Sequence, residues 1–366
     1  MYKKFFMGIA AMAALTLVSC SSDDLDSLSD NSSKNEAISF DGYLGRSAVA
    51  VNGSRGSVLT KDALQNSTEG FGVFGNYNST GGQKFGANLF NNQPVKYNAS
   101  AWTYSPLKFW PTQGHIDFLA YAPYDSKYAD KVSEDNQKLE FIVNPDITAQ
   151  KDLLWANNAV DQTLDKISTS GNKVKFHFYH ALSRLGYTVK LYGNGDYSSK
   201  ATFTVNKITL AGSSDGTSQN AFYKKGTIDL SKANNAGDLW DTSSSSANDA
   251  KQNFDLVSNK PLDKNGINSG DNYLFVIPQD FSGADELYVY VEYTINYGGE
   301  TGTVKNTVYK KLTTNFKQGK AYMLNLTLGL PIEFDVDVVE EWKVPEDGTG
   351  DINIGSNDNN SWDKDK

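Results

Sequence analysis

Apolar and polar residues alternate two by two through most of this chain, and that spacing commits it to β-structure. Ile332, Phe334, Val336 and Val338 are interleaved with Glu333, Asp335 and Asp337, without a slip. Only a strand sends successive side chains to opposite faces, so such a segment has one buried face and one wet face. From Ala37 onward the pattern recurs in short runs: Ile38–Leu44, Gly70–Tyr77, Ile116–Pro123, Lys138–Val143, Val174–Phe178 and Leu185–Leu191. It continues in Phe203–Leu210, Gly226–Leu230, Tyr273–Ile277, Leu287–Ile295, Thr301–Leu312 and Ala321–Leu328. Gly, Asn and Asp punctuate the runs as turn residues do. Helical spacing is rare; Asp130–Asn136 or Lys61–Gln65 is expected to give one turn at most. Many short strands without intervening helices predict sandwiches or barrels rather than βαβ units. No fixed-period repeat is present.

The chain has 366 residues, enough for two β-domains of ordinary size once an N-terminal leader is set aside. Its 20 Tyr and 19 Phe supply ample sheet cores. The formal net charge is −9, which argues against nucleic acid as a partner, because phosphate binding needs clustered Lys and Arg. Cys20 is the single cysteine, so an intramolecular disulfide and a multi-cysteine zinc site are both excluded.

The first 19 residues read as a signal peptide. Lys3 and Lys4 form a basic start, Phe5–Val18 an apolar stretch too short to span a bilayer, and Leu17-Val18-Ser19-Cys20 resembles a lipobox. Cys20 is therefore the expected lipidation site, with several acyl chains, palmitate among them, anchoring the protein to the outer membrane. Residues 20–36 read as an acidic disordered tether; Ser21-Ser22-Asp23-Asp24-Leu25-Asp26 resembles the acidic stretch that sends many such lipoproteins to the outer face of the outer membrane, which implies surface export.

Residues that carry chemistry are sparse. His177 and His180 are three apart, but a strand would point them to opposite faces, and no third ligand accompanies them. His115 is the remaining histidine. There is no nucleophile elbow, P-loop or dinucleotide fingerprint. Neither an enzyme nor a cofactor or metal site is expected. Trp110, Trp155 and Trp342 suit core packing, and Trp102 is left unassigned. Trp240 and Trp362 stand in polar stretches and are the residues expected to touch a ligand, such as a glycan, if any tryptophan does. Asn357–Asn360 lacks the spacing of a calcium loop.

Several segments, taken in order, resemble the fimbrillin family of lipoprotein pilins and adhesins, the subunits of type V pili. They are Phe71-Gly72-Val73-Phe74, then Phe109-Trp110-Pro111 leading into Ile116–Pro123. Asp152-Leu153-Leu154-Trp155-Ala156 and Phe176–Leu185 follow, and Gly319-Lys320-Ala321-Tyr322 with the closing strand and Trp342 completes the set. The resemblance implies an all-β protein of two tandem transthyretin-like β-sandwich domains, residues 37–195 and 196–342, with a polar tail over 343–366. It further implies a removable first strand, with Ile38, Phe40 and Leu44 facing inward. An arginine-specific surface protease would cut after Arg55 or, alternatively, Arg46. Another fimbrial subunit would then fill the vacated groove by donor-strand exchange. The donor is either the closing strand or the tail around Asp351–Ile354. The alternative reading is a surface glycan-binding lipoprotein that contacts host or bacterial surface glycans or proteins; a hydrolase on an all-β fold ranks behind both.

Overall fold

Phe71–Asn78 and His115–Ala122 consist almost wholly of apolar, aromatic and small residues, as strands covered on both faces require. The computed structural model describes residues 36–43, 59–169, 171–192, 201–233, 237–243, 250–270, 272–298 and 302–329, together with the backbone of 334–339. Cys20, Leu44, Arg46, Arg55, Trp342, Trp362 and the tail lie outside the described residues. From Glu36 onward the chain clusters as one unit, within which the buried apolar residues form two cores.

The first core is built from β1 (Phe40–Tyr43), β2 (Phe71–Asn78), β3 (Phe90–Asn98), β4 (Ala101–Thr103) and β5 (His115–Ala122). β6 (Lys138–Ile142) departs to a different sheet, and β7 (Leu154–Ala156), β8 (Val174–His177) and β9 (Tyr179–His180) return. Six of these make one sheet in the order β4-β3-β2-β5-β7-β9. β1 and β8 pair separately and in parallel, and their inward side chains pack on that sheet. The sheet is buried on both faces. Phe71, Val73, Phe118 and Ala120 enter the first core, whereas Phe74, Leu119, Tyr121 and Trp155 enter the second.

The second core gathers β10 (Ser183–Leu191), β11 (Thr202–Ala211), β12 (Phe222–Tyr223), β13 (Lys225–Asp229), β14 (Trp240–Asp241), β15 (Lys251–Gln252) and β16 (Phe254–Leu262). It continues with β17 (Ile267–Asn268), β18 (Leu274–Val276), β19 (Gln279–Asp280), β20 (Leu287–Asn296), β21 (Thr303–Leu312), β22 (Asn315–Phe316), β23 (Ala321–Leu328) and β24 (Phe334–Val339). One sheet runs β16-β11-β20-β21, all antiparallel. In another, β17 and β18 flank one edge of β10, β23 runs parallel along the other, and β24 pairs with β23. β6 joins β13 and β14, so the first half of the chain lends a strand to the second.

Two of the longer strands, besides several of two or three residues, escape a reading by alternation. β3 contains Asn91-Asn92-Gln93-Pro94, and β16 contains Ser258-Asn259-Lys260-Pro261. Pro94 is tolerated because β4 pairs only from Lys96 onward, leaving that side of β3 without a ladder to break. Lys61–Asn66 does form a short helix (α1), with Thr60 Oγ1 accepting from the Ala63 amide at 3.0 Å. A second, unanticipated helix (α2, Leu164–Ser168) is capped in the same way by Thr163. Asp130–Asn136 is not helical. Asp130 has φ 59° and exchanges hydrogen bonds with Asn91, and Ser133 bridges Asn136. A left-handed residue at the start of that segment is incompatible with an α-turn.

Candidate functional site

β1 is a short strand held by long-range partners. On one edge it pairs with β8 from Phe40↔Val174 to Tyr43↔His177, preceded by a Val174 N–H donating to Ser39 O at 2.8 Å. On the other edge the chain just before it binds the segment ahead of β5. The Ile38 amide donates to Lys108 O at 2.8 Å and the Trp110 amide to Glu36 O at 3.1 Å. Tyr104 adds a hydroxyl bond to Ile38 O at 2.7 Å, and burial raises its pKa, keeping it a donor. A seat with hydrogen-bonding partners on both sides is the arrangement an inserted strand needs.

Ile38 and Phe40 are each 1% exposed. The Phe40 ring lies 5.5 Å from Phe90 and 5.7 Å from Phe118, both edge-on, 5.6 Å from Phe176, stacked, and 5.3 Å from Tyr104, tilted. Burying such a ring is worth about 1.5–3 kcal/mol, with about 0.5–1.5 kcal/mol more for each well-oriented aromatic pair. Gly42 continues the inward face. A Cβ built there would meet Phe71 and Phe178 at 3.5 Å and Trp102 at 3.7 Å, so the groove beneath it is shallow but not closed.

The tryptophans divide as packing predicts. Trp102 and Trp110 are 8% exposed and Trp155 is fully buried. Trp240 corrects an expectation. It stands in β14 rather than in a polar loop, paired with Ile228, with its ring 6.1 Å from Phe141. Its indole N–H donates to Ala181 O at 2.9 Å, which ties the ring to the fold. His177 is half-buried and its amide is bonded by Asn158 Oδ1 at 2.8 Å. His115 lies 3.4 Å from the buried Asp117, whose carboxylate also takes the amides of Lys84 and Asp161 at 2.8 and 2.6 Å. Among the described residues no group of three or more His, Cys, Asp and Glu side chains is placed to hold a metal.

A buried polar pair was not legible in the sequence. Asp152 is 1% exposed and His180 4%, with His180 Nδ1 2.7 Å from Asp152 Oδ2. The same oxygen accepts from the Leu59 amide at 3.1 Å. Desolvation lowers the His180 pKa, the nearby Arg184 charge adds to that effect, and Asp152 opposes it. These residues are 28 and 93 positions apart from Asp152. No local spacing signals such a convergence.

The described architecture has counterparts among known proteins. Against a fimbrial protein from Bacteroides vulgatus, 22% of residues are identical over 83% of this chain and 98% of the other, with a TM-score of 0.62. A candidate cell adhesion protein from Bacteroides uniformis aligns at 14% identity over 83% and 98% with a TM-score of 0.48. The tip fimbrial protein Mfa3 from Porphyromonas gingivalis aligns at 11% over 74% and 92% with a score of 0.37; these two scores are too low to add to the likeness. No curated protein matches the chain. The family model described as fimbrillin-like matches residues 58–342, starting beyond β1. The chain therefore belongs to the fimbrillin-like family.

Proposed function

We propose that this protein is a structural or adhesive subunit of a surface fimbria, held to the outer membrane through lipidated Cys20 until its first strand is removed. The observation that carries this reading is the seat of β1. The inward side chains of Ile38 and Phe40 are fully buried, β1 pairs with β8 along one edge while residues 36–38 just before it bond residues 108–110 on the other, and a stretch containing Arg46 and Arg55 separates β1 from the next described residue. An arginine-specific surface protease that cuts there frees the strand from the body. Departure of residues 36–43 leaves unpaired backbone on β8 and on residues 108–110 above an aromatic groove, and an extended segment of another fimbrial subunit repairs both losses at once. The family supports the fimbrial setting. β24, the outermost strand of its sheet, is suited to serve as the donor. The role asked of the protein is mechanical, with no catalysis of its own.

N-terminal sequencing of protein released from the cell surface tests the scheme. A mature chain starting at Gly56 or Ser47, in detergent-resistant high-mass ladders, is the expected result. Fimbria-associated protein that still begins at lipidated Cys20 would rule out strand removal.

A further inference from the structure

The point where the chain rejoins the fold after β1 is fastened by a buried carboxylate. Leu59 packs against the first core, and its amide donates to Asp152 Oδ2 at 3.1 Å. That oxygen is at the same time 2.7 Å from His180 Nδ1, and both side chains are almost wholly buried. Directly after Leu59, Thr60 caps α1, and Leu64 of that helix is 1% exposed in the first core. The far end of this arm is secured as well: Glu69 forms an ion pair with Lys151, next to Asp152, and Gly70 O accepts from the Tyr124 amide at 3.0 Å. A desolvated charge is a costly way to hold one amide, since burying it is unfavourable unless it is fully paired. Two flanking chain segments, β1 on one side and Leu59 on the other, thus have independent attachments.

We propose that Asp152, oriented by His180, is a positioning residue that pins the retained end of the chain at Leu59, so that loss of β1 does not unravel the arm through α1. This inference rests on the strand-removal reading for its purpose, but the pin itself does not depend on cleavage. While β1 is seated, the arm is braced by a filled core as well as by Asp152. Once β1 leaves, part of the core that braces the arm is gone, and the Asp152 bond becomes the polar fastening nearest the new chain end. Without it, the freed arm, with Leu59 and Leu64, competes for the groove that a donor strand must enter.

Hydrogen exchange of residues 59–66 in the full chain, before and after treatment with an arginine-specific protease, tests this. Asp152→Asn is expected to speed exchange there by about tenfold or more in the intact chain, the loss of a charge-assisted bond, with β20 amides unchanged. The difference between wild type and variant is expected to widen after trimming. Leu59→Pro, which deletes the donor and leaves the Asp152–His180 pair in place, is expected to give the same local loosening if Asp152→Asn folds poorly. Equal exchange at 59–66 in wild type and both variants overturns the pin. Failure of the protease to release residues 36–43 would instead count against strand removal, and the intact-chain comparison would still decide the pin.

Discussion

Phe40 and Phe176 face one another across a parallel strand pair, their ring centroids 5.6 Å apart and their planes 28° from parallel. One ring belongs to β1 and the other to β8, so this contact joins the first strand to the body. Phe40→Ala removes it together with the edge-on contacts to Phe90 and Phe118. The uncut chain is expected to lose about 3–5 kcal/mol of stability, as large-to-small changes in aromatic cores do. Urea denaturation of the two uncut proteins measures this, and coincident midpoints would show that β1 contributes little to the first core.

Gly42 offers the opposite change. A methyl group there meets Phe71, Phe178 and Trp102 at ordinary contact distance. Gly42→Ala is expected to tighten the seat by about 1 kcal/mol, from one more buried carbon and a stiffer unfolded chain. After arginine-specific cleavage, residues 36–43 should leave the variant several-fold more slowly, read by size exclusion against time. Faster release would mean that the added carbon collides rather than packs.

Ile38 and Phe40 can be read from sequence because a one-sided strand writes its buried face in period two. The same holds for β20, where Leu287, Val289, Val291, Tyr293 and Ile295 alternate with half-buried Tyr288, Tyr290, Glu292 and Thr294. β2 and β5 are harder, since burial on both faces erases the alternation. β3 and β16 are hidden by Asn and Pro, tolerated because β4 pairs only beyond Pro94 and because β16 is the edge strand of its sheet. The pairing of β10 with β23 leaves no local trace: Thr188 meets Asn325, 137 residues away, with Oγ1 to Oδ1 at 2.6 Å. The Leu59–Asp152–His180 convergence is invisible for the same reason. Trp240 misleads because Asp238, Asp241 and Ser243 surround it in sequence, while Phe141 and Ala181 surround it in space.

Acid should weaken the fold through His180. Its folded-state pKa lies below the ordinary 6.5, chiefly because burial disfavours the imidazolium. As pH falls through that value the unfolded chain takes up a proton that the folded chain refuses. The stability associated with neutral His180 is thus complete above about pH 6.5 and declines below it, toward the folded-state pKa. The decline is at most about 1.4 kcal/mol per pH unit from this one group. Thermal midpoints of wild type and His180→Gln between pH 7.5 and 5.5 measure it, and the variant is expected to show a shallower fall. Parallel curves would assign the acid sensitivity to other groups.

β21 is the outer strand of its sheet, and among the described residues nothing pairs with its free edge. Val304 is 43% exposed and Tyr309 57%, a surface that invites a second chain. Lys305, Lys310 and Lys311 stand along the same strand, and Lys311 is tied to Glu286 at 2.8 Å. Charged side chains on an edge strand oppose unprogrammed pairing, because a second copy would bring its own lysines alongside. In a protein whose proposed assembly proceeds by strand insertion at β1, a second sticky edge would produce disordered association instead of a linear polymer. Lys305→Val with Lys310→Val is therefore expected to leave the unfolding midpoint nearly unchanged, as surface substitutions usually do, while driving the uncut protein into aggregates. Light scattering at equal concentrations distinguishes the outcomes: a monodisperse double variant would show that the lysines do not guard the edge.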